Sequence, residues 1–143
     1  GLGFVGPMKQ FTLAGARAGE GYFSQDGRYL IFQSEREPGN PFYQIYFMDL
    51  QTGATQRVSP GQGKTTCAWI HPSNQKVLFA STHADPKTKE KAQAEYEERK
   101  KPKSRYSWSF DETYEIYEAD AQGRRLRNLT KAVGYDCLLY TSD

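Results

Sequence analysis

Short runs of apolar and aromatic residues, separated by polar turn signals, follow one another along this chain. Runs bounded by Asp-Gly, Pro-Gly, Thr-Gly and Gln-Gly are typical of antiparallel strands that are joined by tight turns. The pattern predicts strands near 9–13, 20–24, 28–34, 43–50, 55–59, 66–70, 76–82, 113–120 and 126–130. The predicted fold class is therefore all-β.

A repeat groups these strands into units. Residues 22–34 return 47 positions later as 69–81, with an aromatic residue, a turn, an apolar triplet and a serine in matching places. The pair Ile45-Tyr46 recurs 71 positions on as Ile116-Tyr117. The difference between the two offsets predicts that about 24 extra residues are inserted between Ser81 and Tyr114.

Four antiparallel strands in about 45 residues have the size of one β-propeller blade. We therefore predict an incomplete propeller. Its segments are 1–13 with the last strand of a preceding blade, a blade at 14–60, a blade at 61–131 with an insertion near 86–104, and 132–143 as the start of the next blade or a non-native tail. Because propellers close with roughly four to eight blades, we expect the remaining blades of a longer parent chain as neighbours.

The turn sequences resemble a known family. Phe23–Arg28 is similar to the Ser-Pro-Asp-Gly turn of TolB-type propeller repeats, with Gln25 in place of the usual proline. Ile45–Gly53 resembles the family's Ile-Tyr strand with its following Gly turn, and 57–59 and 127–130 resemble its closing strands. The resemblance covers about 9–136, and the second unit departs more from the pattern than the first.

The resemblance implies a protein of the periplasm, or otherwise outside the cytoplasm, that uses its propeller to contact a protein, peptide or glycan. It implies a non-catalytic binding domain of the cell envelope without a cofactor. The alternative is an accessory propeller of a larger hydrolase or peptidase whose catalytic domain is absent from this chain. Because the repeat signature is structural, no catalytic residue is carried over from it.

One end of the predicted blades collects charged and aromatic residues. Strands alternate in direction within a blade, so the loop leading into a blade and the loop between its second and third strands emerge at the same end. The candidate binding residues at this end are Arg17, Glu20, Glu35, Arg36, Lys64, Thr65, His83, Asp85, Arg105 and Tyr106. Arginine and tyrosine combine hydrogen bonding with apolar contact area, which favours a binding face. Solvated loops without a binding role explain the same composition.

The insertion itself is strongly charged. Residues 86–104 are rich in Lys, Glu, Ala and Arg, and the pair Glu95 and Arg99 has the i, i+4 spacing that supports a helix. We predict a helix or a flexible arm over the end of the blades that carries the candidate binding residues, which we call the rim. Its excess of basic residues suits an acidic partner, although a solvated helix explains the same charges.

The sequence gives little support for metal binding, hydrolysis or nucleotide binding. His83 and Asp85 lack a third metal ligand, so no metal site is predicted. Ser81, His83 and Asp85 lie at every second position at the end of one strand, so their side chains point the same way. In this arrangement they cannot form the Ser-His-Asp relay of a hydrolase. We expect Cys67 to be a free, buried residue. Gly61–Thr65 resembles a phosphate-binding loop, but it lacks the full spacing of that motif and no helix is predicted after it.

Charge and hydropathy exclude two further classes of partner. The chain has 19 basic and 17 acidic residues, a net charge of +2, which argues against binding nucleic acid through general electrostatics. No apolar run reaches the roughly 20 residues of a membrane-spanning helix, so no transmembrane segment is predicted. The N-terminus shows no signal-peptide pattern.

Overall fold

The computed structural model describes residues 17–101 and 111–129, with the side chains of 17 and 18 left out. The described elements are β1 (Arg17–Phe23), β2 (Tyr29–Glu35), β3 (Gln44–Asp49), β4 (Thr55–Arg57), β5 (Thr65–Ile70), β6 (Lys76–Ser81), α1 (Thr88–Arg99), β7 (Glu115–Asp120) and β8 (Arg127–Asn128). The predicted strand at 9–13 and the predicted tail at 132–143 lie outside these residues.

The strands form two antiparallel sheets of four. The first has the order β1-β2-β3-β4 and the second the order β5-β6-β7-β8, so each strand pairs with its neighbours in the chain. This is the meander of a propeller blade. The prediction of an all-β fold made of incomplete propeller blades is confirmed, whereas the domain boundaries within the chain stay a prediction.

The structural repeat follows the sequence repeat. Strands β2 and β6 begin 47 residues apart, and β3 and β7 begin 71 residues apart. The first strand of each blade carries a bulge, between Ala18 and Gly21 in β1 and between Thr66 and Trp69 in β5. The turn that precedes the second strand places Gly27 and Asn74 at φ of 76° and 64°, a left-handed conformation that Gly and Asn tolerate best.

The hydrophobic core lies between the two blades. Inward-facing residues of the first blade, such as Ile31 and Phe47, pack against Val77, Phe79 and Tyr117 of the second. These side chains alternate with outward-facing ones because strand side chains point to opposite faces of the sheet. The blades therefore pack face to face.

Polar side chains link the blades outside this core. Gln33 Nε2 on β2 donates to Thr66 Oγ1 on β5 at 2.9 Å. At the end opposite the rim, Asn74 Nδ2 donates to Asp26 Oδ2 at 2.8 Å. Each bond crosses the junction between the blades, and together they fix how one blade lies on the other.

The insertion forms the twelve-residue helix α1 between β6 and β7. Its helical conformation agrees with the prediction of a helical insertion in the second blade. In the described part of the chain, no helix has the length and apolar character needed to cross a membrane.

Candidate functional site

The N-terminal half of α1 is bound to the second blade by a cluster of charges. Lys91 Nζ lies 2.6 Å from Asp85 Oδ2 and 3.0 Å from Asp111 Oδ2. Lys64, which precedes β5, reaches the same Asp111 oxygen at 3.1 Å. Thr113 donates its hydroxyl to Asp111 at 2.6 Å. Both carboxylates are buried and are balanced by the two ammonium groups.

The contacts in this cluster shift the pKa values of Asp85, Asp111 and Lys91. The hydrogen bond from Lys91 lowers the pKa of Asp85. Burial alone would raise the pKa of Asp111, but hydrogen bonds from Thr113, Lys91 and Lys64 outweigh burial and hold it well below the ordinary range. The pKa of Lys91 is raised by its bond to Asp85. Asp85, Asp111 and Lys91 are therefore charged at neutral pH.

The C-terminal end of α1 is bound to the first blade. Arg99 Nη1 lies 3.0 Å from Glu35 Oε2 at the end of β2, and Arg99 Nη2 donates to the Pro41 carbonyl at 2.9 Å. Its Nε donates to Glu95 on the preceding turn at 3.0 Å. A single guanidinium thus joins the helix to the loop region between β2 and β3. The helix spans both blades.

Facing the helix is a glycine-containing loop, 61–63, which is held by two buried amides of the first blade. Asn40 Nδ2 donates to the carbonyls of Gly61 and Gly63 at 3.0 and 3.2 Å. Gln44 Nε2 donates to the Gly63 carbonyl at 2.8 Å, and its Oε1 accepts the Gly61 N–H at 2.9 Å. This loop is the segment whose sequence imitates a phosphate loop. In the structure it is a blade connection whose backbone is fixed by these amides.

A groove of about 430 Å³ lies between this loop and the helix. Its lining residues on α1 are Thr88, Lys89, Ala92, Gln93 and Tyr96, and the opposite wall is formed by 38–40 and 61–63. Its volume is within the range of about 300–1,000 Å³ that is usual for ligand sites. Because the helix is anchored at both ends and the loop from beneath, both walls are preformed.

The structure places the predicted rim residues in different environments. Arg17 and Glu20 belong to β1 and not to the loop before it, and Glu20 is exposed. Thr65 is buried and donates its hydroxyl to the Tyr43 carbonyl at 2.8 Å. Arg36 is exposed and lies over the ring of Tyr46 with 5.0 Å between its Cζ and the ring centroid.

The structure brings three of the predicted residues to the helix. Glu35 binds Arg99, Asp85 binds Lys91, and Lys64 shares Asp111 with Lys91. Their charges are therefore matched within the chain. Arg105 and Tyr106 lie outside the described residues.

The residues Ser81, His83 and Asp85 do not form a catalytic relay. His83 Nδ1 lies 2.8 Å from Ser81 Oγ, but Ser81 is fully buried and Asp85 is turned towards Lys91. The His83 ring packs on Tyr117 with 4.4 Å between centroids. Burial lowers the pKa of His83, an effect that Glu115 partly opposes. No group of three or more His, Cys, Asp or Glu side chains suited to a metal ion is found among residues 17–101 and 111–129.

Cys67 differs from the expectation. It is half of a disulfide and not a free thiol, so the prediction of a free buried cysteine is wrong. It lies in the bulge of β5 with a φ of 57°. Spacing along the chain did not indicate a disulfide. His71 has a structural role, since its Nδ1 accepts the N–H of Ser73 at 3.0 Å within their turn.

Sequence reasoning missed the residues that position the site. Lys91 and Asp111 lie 20 positions apart, and Arg99 and Glu35 lie 64 apart, so no local spacing connects them. The sequence of the helix does indicate which of its residues lie on the same face. Thr88, Ala92 and Tyr96 recur at every fourth position and therefore share one face of a helix.

Comparison with known proteins agrees with this architecture. No protein-family model and no curated protein matches the chain. A solved structure described as a TolB, from Agrobacterium tumefaciens, superposes with a TM-score of 0.56 at 20% sequence identity over 82% of this chain. The fold is that of a TolB-like β-propeller fragment. The chain spans 35% of the length of that TolB structure, and the similarity concerns the TolB-like fold alone.

Proposed function

We propose that this chain is part of a non-catalytic TolB-like propeller domain that binds a protein partner in the cell envelope, at the end of the blades where α1 lies. The observation that carries the proposal is the anchoring of α1 to both blades through Lys91 and Arg99. Anchored in this way, the helix and the neighbouring loops present one rigid surface. A preformed surface binds at a lower cost in conformational entropy than a mobile one.

The polar groups of this surface support a binding role over a catalytic one. Ser81 is buried and hydrogen-bonded to His83, and Asp85 forms an ion pair with Lys91. These three residues, which come closest to a hydrolase triad, therefore have structural contacts. Glu20 and Arg36 stay exposed. Exposed charges at the edge of an interface act mainly on the rate of association and on its salt dependence.

The test uses the full chain as bait for proteins from a cell-envelope extract, followed by kinetics with the purified captured protein. Two variants, Glu20→Gln and Arg36→Gln, remove the exposed charges and leave the ion pairs of α1 in place. Arg124→Gln is the matched control, because Arg124 is exposed in the turn after β7, at the opposite end of the blades. Because the two rim variants remove charges of opposite sign, we expect them to change the association rate in opposite directions and to alter its salt dependence, and we expect no change in the control.

Equal kinetics in all three variants would overturn the proposal that this end docks the partner. The alternative, an accessory propeller of a larger hydrolase, makes a separate prediction. In that case the parent reading frame also encodes a Gly-x-Ser-x-Gly elbow or a metal-binding set of His, Asp and Glu. Location outside the cytoplasm belongs to the same proposal and is tested by fractionating cells that express the parent protein.

A further inference from the structure

The groove beneath α1 has polar groups that the fold leaves available. Within the described residues, the side chains of Gln62, Thr88, Lys89 and Tyr96 make no hydrogen bond or ion pair, although all four line the groove. Gln93 uses its Nε2 to bind Glu97 at 3.0 Å, which leaves its Oε1 as an acceptor. The groove therefore offers donors and acceptors of the kind that pair with peptide groups.

The groove carries charge of one sign, which is positive. Among residues 17–101 and 111–129, Lys89 is the one charged residue that lines the groove, and no carboxylate lines it. Three basic groups around α1 are already paired, since Lys64 and Lys91 bind Asp111, and Arg99 binds Glu35. A bound ligand with a carboxylate would form an ion pair with the ammonium of Lys89. Its side chains would contact the apolar faces of Pro38, Ala92 and Tyr96.

The dimensions of the groove suit a short extended chain. The lining positions of α1 run from Thr88 to Tyr96, which at a rise of 1.5 Å per residue is about 12 Å. An extended peptide advances about 3.3 Å per residue, so roughly three to four residues fit along this wall. The opposite wall is 61–63, whose backbone is held rigid by Asn40 and Gln44.

We propose that the groove between α1 and loop 61–63 binds an extended peptide segment of a few residues that carries an acidic group opposite Lys89. This inference rests on the proposed binding function and names the chemistry of one contact within it. A neutral saccharide would meet the same amides, but it has no group that matches the ammonium of Lys89. The acidic peptide therefore accounts for more of the lining.

The experiment measures binding of two synthetic pools of tetrapeptides to the full chain by fluorescence anisotropy. The peptides are acetylated at the N-terminus, amidated at the C-terminus and carry a neutral fluorophore, so that no terminal charge is present. One pool carries Asp or Glu at a single position, and the matched pool carries Asn or Gln there. Ala92→Phe fills the groove, whereas Ala94→Phe adds the same ring at an exposed position of α1 outside the groove. We expect the acidic pool to bind, and Ala92→Phe to weaken that binding about tenfold or more while Ala94→Phe leaves it unchanged.

A second pair of variants tests the charge. Lys89→Gln removes the ammonium of the groove, and Lys87→Gln removes a neighbouring exposed one outside it. We expect Lys89→Gln alone to abolish the preference for the acidic pool. Gln62→Trp blocks the groove from the opposite wall, so that a disturbed helix in Ala92→Phe would not mask the result.

Several outcomes overturn the inference. They are no binding of either pool, binding that Ala92→Phe and Gln62→Trp leave intact, or binding of neutral oligosaccharides in place of the peptides. The failure of the broader proposal is a separate result. In that case Glu20→Gln and Arg36→Gln leave partner kinetics unchanged while the acidic pool still binds in the groove.

Discussion

The side-chain amide of Gln44, fully buried at the start of β3, donates to the carbonyl of Gly63 at 2.8 Å across the junction between the two blades. The same amide donates to the Tyr43 carbonyl at 2.9 Å. Its Oε1 accepts the hydroxyl of Ser59 at 2.7 Å and the N–H of Gly61 at 2.9 Å. All four hydrogen-bonding positions of a primary amide are used, so this one side chain fixes the loop between the blades.

Replacing Gln44 by methionine keeps the approximate size of the side chain and removes its polar atoms. Several buried backbone and hydroxyl groups then lose their partner, each at a cost of about 1–3 kcal/mol when it stays unsatisfied. We expect Gln44→Met to lower the free energy of unfolding by about 2–4 kcal/mol in urea titrations. The exposed Gln51→Met is the control and should change it by less than about 0.5 kcal/mol. Equal effects would show that the amide network is not needed.

Gly63 and Gly53 offer a matched test of close packing. Both have a left-handed φ, 77° and 80°, so alanine is strained at either position. A Cβ on Gly63 would lie 2.8 Å from Thr82 Oγ1 and 2.9 Å from the His83 nitrogen, whereas one on Gly53 would meet nothing within 4 Å. We expect Gly63→Ala to destabilise the chain clearly more than Gly53→Ala. Similar melting temperatures for the two variants would contradict the close approach of loop 61–63 to the segment after β6.

The charge cluster under α1 predicts a dependence of stability on pH. Asp85 and Asp111 have pKa values below those of free carboxyls. Their contribution is therefore present above the unfolded-state pKa of about 4 and is lost as the pH falls towards their lowered values in the folded chain. We expect the free energy of unfolding to decrease on acidification below about pH 4.

In Lys91→Met this acid-dependent decrease should be smaller, because the lysine that lowers the pKa of both carboxylates is gone. At neutral pH the variant should lose about 1–3 kcal/mol of stability, since it leaves Asp85 buried without its ion pair. The control is Lys100→Met, which removes only an exposed pair with Glu97. An acid profile in Lys91→Met that matches the wild type would refute the role of the cluster.

Arg99 should control how tightly α1 is held to the first blade. Arg99→Lys replaces a guanidinium that binds Glu35, Glu95 and the Pro41 carbonyl by a single ammonium that cannot reach all three. We expect a loss of about 1–2 kcal/mol of local stability, seen as roughly tenfold faster amide exchange in the last turns of α1. Lys101→Ala, which removes an exposed pair with Glu98, is the comparison. Unchanged exchange in Arg99→Lys would mean that the helix is held by other contacts.

The strands and their order could be predicted because their signals are local. Alternation of apolar residues and the turn sequences repeat at the two offsets, and β2, β3, β6 and β7 lie close to their predicted limits. The first strand is longer than predicted and begins at Arg17, because its backbone pairs with the end of β2 at Glu35. That pairing depends on the bulge near Gly21, which has no signal in the apolar pattern.

The sequence by itself thus determined the blade repeat, the TolB-like architecture and the helical insertion, since periodicity and turn chemistry act between near neighbours. Only the tertiary structure decided which charges are matched and which stay available. Asp85 is neutralised by Lys91, Glu35 by Arg99, and Lys89 is left in the groove. Ion pairs and buried amides depend on distances between residues that are remote in the chain, and only the packing of the two blades and α1 sets those distances.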